Sequence, residues 1–80
     1  MTEQKIKQDI PIGTNSREIR KAQTVKQTEL VQLLQLQGVE MTRVTLVKFE
    51  RGIQHILASQ LRGIRDALQT TYDALLEERK

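Results

Sequence analysis

A broad apolar stripe at helical spacing runs through the middle of this 80-residue sequence. In the segment QTELVQLLQLQG, apolar side chains occupy positions 30, 31, 33, 34 and 36, which lie together on one face of a helix. Gly38 ends the segment and suits the left-handed conformation that commonly closes a helix. The pattern therefore predicts a helix from about residue 27 to residue 37.

The segment RVTLVKFE predicts a shorter helix immediately downstream. Thr42 precedes it as a good N-cap residue, and Gly52 follows it as a stop signal. Only Leu46 and Phe49, with Met41 in front of the helix, need to be buried. The remaining side chains mix hydrogen-bonding and apolar groups that no core obviously requires, so they are candidates for binding.

An earlier helix is predicted in the first third of the chain. Asn15, with Glu18 three positions later, resembles a capping box, so we expect the helix to run from there to about Gln23. Ile19 and Ala22 are expected to face inward. The same helix should expose two cations, Arg17 and Lys21.

Two further short helices are predicted in the last third of the chain. Ala58 or Ser59 opens the fourth helix, and Thr70 or Thr71 caps the fifth. The fifth helix carries three residues expected to pack in the core, with a share of their surface open to a two-fold contact between copies: Tyr72, Leu75 and Leu76.

The chain divides into a polar arm and one domain. Residues 1–11 are polar and end in Pro11, which predicts a flexible N-terminal arm. Residues 12–78 then form a single domain of five short helices, without internal repeats. The fold class predicted is all-α.

Composition excludes several kinds of site. There is no cysteine and a single histidine, His55, which removes disulfides and the usual thiolate and histidine metal sites. One Phe and one Tyr are too few for a base-stacking platform. No nucleophile lies with a plausible base and no glycine-rich phosphate loop occurs, so we expect no enzyme, no metal, no cofactor and no small-molecule ligand. No apolar run reaches the roughly 18 residues of a membrane span, which predicts a soluble intracellular protein.

The net charge of +3 is unevenly distributed. Between Arg17 and Arg65 there are nine basic and four acidic residues, a net charge of +5, whereas the last fifteen residues carry −2. The positive excess therefore lies in the middle of the domain, where a polyanion would dock.

Two helices joined by a glycine-containing turn, the second of them basic and polar-faced, describe a helix-turn-helix. Arg20 comes first, followed by VKQTELV from Val25 and MTRVTLVKFERG from Met41. Over about residues 12–76 the chain resembles the lambda-repressor/Cro family of XRE-type DNA-binding domains. The resemblance implies a five-helix domain that reads the major groove of duplex DNA with its third helix, about residues 43–50.

The resemblance also assigns candidate site residues. The expected base contacts are Thr42, Arg43, Val44, Thr45 and Lys48. The expected phosphate contacts are Lys26, Gln27, Arg51, Gln54 and His55. A partly buried ion pair between Arg20 and Glu50 is expected to join the first helix to the end of the third, in a structural role.

Three features depart from the family pattern. Lys26 stands where Ser or Thr usually caps the second helix, so that cap is weaker or is supplied by Thr24. The link from Leu34 to Met41 is about five residues longer than usual, which we interpret as one more turn of helix followed by a glycine turn. Ser16 replaces a common apolar residue of the first helix.

The function implied is a sequence-specific, double-stranded DNA-binding transcriptional regulator, with repression favoured. It would act as a homodimer on a two-fold site in a prokaryotic cytoplasm, at the nucleoid. The alternative, from a different class, is a helical protein-interaction module such as an antitoxin or an accessory subunit of a mobile-element or phage system.

Overall fold

The computed structural model describes residues 10–78, which form five α-helices and no strand. The helices are α1 (Ile12–Ala22), α2 (Gln27–Leu36), α3 (Arg43–Glu50), α4 (Ala58–Ala67) and α5 (Tyr72–Leu75). The all-α prediction with five helices is confirmed. The first nine residues of the predicted arm, 1–11, lie outside the described residues. Across the described range, no helix has the length and apolar character that crossing a membrane requires.

One hydrophobic core lies between the helices. α2 packs against both α3 and α4, while α1 packs against α3 and α5. Eight apolar side chains form the buried cluster: Leu30, Val31, Leu34, Met41, Leu46, Phe49, Ile64 and Leu68. Because α2 supplies three of them, it is the central element on which the flanking helices are assembled.

The four longer helices all end in the same backbone motif. In each, the residue after the C-cap has a positive φ, and the next residue donates its N–H to the carbonyl five positions back. This is the Schellman pattern, which satisfies carbonyls left open at a helix end. Gly38 adopts the positive φ after α2, as expected from the sequence. Gly52, predicted only as a helix stop, adopts it after α3, and Thr24 and Gln69 adopt it after α1 and α4.

The predicted start of the first helix is wrong. α1 begins at Ile12, with Pro11 at the N-cap position, so Asn15 lies within the helix and does not cap it. The Asn15 amide is buried and donates to the carbonyl oxygens of Leu75 at 2.9 Å and Glu77 at 2.8 Å. Ala22, expected to face inward, is exposed. The face of α1 that packs against α3 and α5 carries Asn15, Ser16 and Arg20 instead.

Gly13 determines how closely α1 approaches α3. It is the second residue of α1, and a Cβ added there would overlap the carbonyl oxygen of Phe49. Glycine is therefore required by backbone packing at this position. This contact places the first turn of α1 directly beside the end of α3.

At the other end of the domain, Thr71 caps α5, as one of the two predicted alternatives, by accepting from the N–H of Ala74 at 3.1 Å. Leu75 is fully buried, whereas Tyr72 and Leu76, expected in the core, are exposed. The guanidinium of Arg65 stacks over the Tyr72 ring at 4.5 Å from its centroid.

Candidate nucleic-acid interface

A buried ion pair joins α1 to the end of α3. Arg20 donates from Nε to Oε2 of Glu50 at 2.8 Å and from Nη2 to Oε1 at 3.0 Å. The side chains are 9% and 1% exposed, respectively. Arg20 also donates from Nη1 to the carbonyl of Val25 at 2.8 Å, which fixes the turn before α2. The geometry is that of the ion pair that the resemblance implied.

Gln27 joins this network from the first turn of α2. Its Nε2 donates to Oε1 of Glu50 at 3.0 Å. The sequence places Gln27 against a phosphate, but in the structure one of its two amide N–H groups is directed to Glu50. The residue therefore holds the start of α2 against the end of α3, with its second amide N–H still able to donate.

Three adjoining concavities cover this side of the molecule, with volumes of about 520, 460 and 260 Å³. They are continuous because the first two share Arg17 and Gln27, the last two share Arg43, and the first and third share Arg51. Six exposed cations line them, and we call this set the basic face: Arg17, Lys21, Lys26, Arg43, Lys48 and Arg51.

The electrostatics of the basic face are one-sided. Glu50 is the one carboxylate among the lining residues, and its charge is offset by Arg20. Six cations on a surface without an exposed carboxylate among the lining residues repel one another and attract anions. Such a surface favours a polyanionic ligand.

The predicted base contacts lie at the start of α3. The Thr42 hydroxyl accepts from the N–H of Thr45 at 3.1 Å, so Thr42 is the N-cap, as predicted. The same hydroxyl donates to Oγ1 of Thr45 at 3.1 Å, which directs these two side chains toward each other. Arg43, Val44 and Lys48 are exposed on the outer surface of the helix. The structure therefore presents three of the five expected base contacts freely and holds the two threonines in the cap.

Thr24 does not cap the N-terminus of α2. Lys26 occupies the N-cap position, and its backbone N–H is accepted by the Glu29 carboxylate at 3.1 Å. Thr24 is instead part of the motif that ends α1, with φ of 56°. Its predicted alternative role as the cap of α2 is therefore wrong, because the same residue cannot adopt both conformations. The Lys26 side chain is exposed and lies with Arg17 on the basic face.

The predicted phosphate contacts divide into two groups. Lys26, Gln27 and Arg51 line the concavities of the basic face. Gln54 and His55 belong to the loop before α4 and line none of the three concavities, and His55 borders a separate, smaller apolar pocket. The structure thus brings the first three together and leaves the last two apart.

Two residues of the basic face were not predicted as binding residues. Arg17 and Lys21 are exposed on α1 and line the same concavity as Lys26. Their spacing of four positions puts them on one side of a helix, which the sequence does reveal. The sequence does not show which helix Arg17 and Lys21 lie beside, because that depends on tertiary packing.

Nowhere between Ile10 and Glu78 do three or more metal-ligating side chains come together. Comparisons of the chain with family models, with curated proteins and with solved structures find no match.

Proposed function

We propose that this protein is a sequence-specific, double-stranded DNA-binding transcriptional regulator, a repressor, in which α2 and α3 act as a helix-turn-helix. One observation carries the proposal: cations from three helices form a single face around the exposed start of α3. Packing of the helices on a hydrophobic core does not require exposed cations from three helices to converge on one face. The resemblance to the lambda-repressor/Cro family supports the same function.

In this proposal the basic face supplies affinity. Three of its cations, Arg17, Lys21 and Lys26, border the start of α2. Arg51 lies at the end of α3, so the four cations lie on both sides of α3. Each phosphate that they neutralise releases counterions and adds about −0.9 to the slope of log K against log salt. These four contacts would give a slope of roughly −3.6. Gln54 and His55 would add contacts only at the edge of the footprint.

α3 would supply specificity from within the major groove. Arg43 has the geometry to span the O6 and N7 atoms of guanine, and Lys48 lies one turn further along the helix. A matched bidentate contact contributes roughly 1–3 kcal/mol of discrimination. Thr42 and Thr45 would bind bases only by leaving the cap bond, so we assign them a smaller part.

Selection of bound sequences from a random duplex pool, followed by anisotropy titration at several salt concentrations, tests the proposal. We expect one enriched site with two-fold symmetry, whose half-sites lie about 34 Å apart if a homodimer binds. Arg43→Ala should relax the preference at particular base pairs, whereas Arg51→Ala should weaken binding to all sequences alike.

Arg62→Ala is the matched control, because Arg62 is an exposed cation of α4 that lines none of the three concavities. Its removal should change affinity much less than removal of Arg51. Binding that ignores sequence and salt, or that depends equally on Arg62, would contradict the proposal.

A protein-interaction module, such as an antitoxin or an accessory subunit, is the second candidate. It is favoured by Leu36, which is 84% exposed at the end of α2, with the exposed Leu33 one turn before it. A stable complex with a protein encoded beside this one, lost on Leu36→Gln and formed without DNA affinity, would support this candidate.

A further inference from the structure

Ile53 differs from its counterparts at the other helix ends. The residue after the positive-φ position is apolar at the ends of α1, α2 and α3, where it is Val25, Val39 and Ile53. Val25 and Val39 are half-buried and pack against the core, as is usual for this motif. Ile53 is 65% exposed instead. Its apolar side chain therefore contributes little to the core.

Ile53 lies against the outer face of α3. Together with Val44 and Val47 it lines the concavity of about 260 Å³, whose remaining lining residues are Arg43, Lys48 and Arg51. The N–H of Ile53 donates to the carbonyl of Lys48 at 3.0 Å, which folds the chain back over the helix. The result is an apolar patch rimmed by three cations.

The patch lies on the outer face of α3 and on the residue that folds back beside it, so it would meet the base edges if α3 entered a major groove. An α-helix with its side chains is about 10–12 Å in diameter, which fits the roughly 12 Å width of the major groove. The patch cannot read hydrogen-bonding groups, because Val44, Val47 and Ile53 have none in their side chains. On the base edges of the major groove, the apolar group available to such side chains is the C5-methyl of thymine.

We infer that Val44, Val47 and Ile53 form a thymine-methyl reader, so that the DNA recognised carries thymine opposite this patch in each half-site. The inference rests on the proposed function and specifies its ligand further. The cationic rim favours DNA as the occupant. Three cations without a carboxylate among the lining residues complement the closely spaced negative charges of a phosphate backbone.

The test uses the selected duplex and replaces each thymine in turn by deoxyuridine, which removes the methyl group and keeps the hydrogen-bonding pattern. At one or two positions per half-site we expect affinity to fall roughly four-fold for each methyl, corresponding to about 0.8 kcal/mol. Val44→Ala and Ile53→Ala should bring the thymine-to-uridine ratio toward one at those positions. Leu36→Ala, which removes an exposed apolar side chain outside the patch, should leave the ratio unchanged.

Equal binding of the thymine and uridine duplexes at every position would overturn the inference, while the selected site would still support the proposed function. A methyl effect that persists in both Val44→Ala and Ile53→Ala would also overturn it, because neither exposed member of the patch would then contact the methyl. Loss of self-association on Ile53→Ala without any change in the uridine ratio would assign the patch to a protein contact. Failure to enrich any sequence would contradict the proposed function itself. Circular dichroism confirms that each variant, altered at an exposed position, remains folded.

Discussion

Arg20 and Gln27 donate hydrogen bonds to one and the same atom, Oε1 of Glu50, each at 3.0 Å. One carboxylate therefore orients α1, the start of α2 and the end of α3 at once. The Glu50 carboxylate therefore fixes the relative positions of the three helices that carry the basic face.

Glu50→Gln should lower the free energy of unfolding by about 3–5 kcal/mol, because it leaves Arg20 buried without a counter-charge. Gln27→Ala should cost only about 1 kcal/mol, the value of one hydrogen bond. Urea denaturation measures both. Replacing the pair together, as Arg20→Met with Glu50→Leu, should recover part of the loss; a double variant that is less stable than Glu50→Gln would contradict this account.

Gly13→Ala should destabilise the protein by about 1–3 kcal/mol, because the new Cβ forces α1 away from the Phe49 carbonyl. Thermal unfolding followed by circular dichroism checks this. Glu18→Ala, at an exposed position of the same helix, is the control and should stay within about 0.5 kcal/mol of the parent. Equal stability of the two variants would show that the approach of α1 to α3 is not close.

Thr24→Gly should raise the free energy of unfolding by about 1 kcal/mol, since a β-branched residue is strained at a φ of 56°. Gly38→Ala is the reverse experiment. Beyond Gly38 and its two chain neighbours, no heavy atom lies within 4 Å of the Cβ it adds, so its expected loss of about 1 kcal/mol comes from the backbone alone. Chemical denaturation of both variants should give changes of opposite sign.

Ser16→Ala should stabilise the protein by about 1 kcal/mol. The Ser16 hydroxyl is fully buried, and among the described residues it is the one buried side-chain polar atom without a hydrogen-bond partner. Alanine removes this cost and fills nearly the same volume. A melting temperature lowered by Ser16→Ala would indicate that the hydroxyl does form a bond in solution.

Lys21→Ala should reduce the salt slope of DNA binding by about 1 and weaken binding to every sequence equally. Its position on α1 makes it the most stringent test of how far the basic face extends. The slope is measured by anisotropy between low and moderate salt, with Arg62→Ala as the control. An unchanged slope would place Lys21 outside the footprint.

The sequence predicted α3 residue by residue, because Thr42 and Gly52 are signals that act within one turn of the helix ends. The predicted start of α1 is wrong because the contact that decides it is distant along the chain. Asn15 is a good cap residue in isolation, but its amide is used by carbonyls 60 and 62 positions away. Such a partner leaves no trace in the local pattern.

In the candidate site, too, some features follow from the local sequence pattern and others depend on tertiary packing. The exposure of Arg43 and Lys48 follows from the apolar spacing of α3 alone. The convergence of Arg17 with Lys26 depends on how α1 packs against the rest of the domain, which no local signal specifies. The surface position of Tyr72 and Leu76 likewise reflects the shortness of α5, which has only four residues and buries one side chain fully.

The bond from Asn15 to the end of α5 has a consequence for how the molecule opens. A helix of four residues is far too short to persist by itself in water, so α5 exists only while α1 is in place to hold it. α1, conversely, loses the two carbonyl partners of a buried amide whenever α5 detaches. The first and last helices of the described chain should therefore exchange their amide hydrogens as one cooperative unit, with protection that rises and falls together.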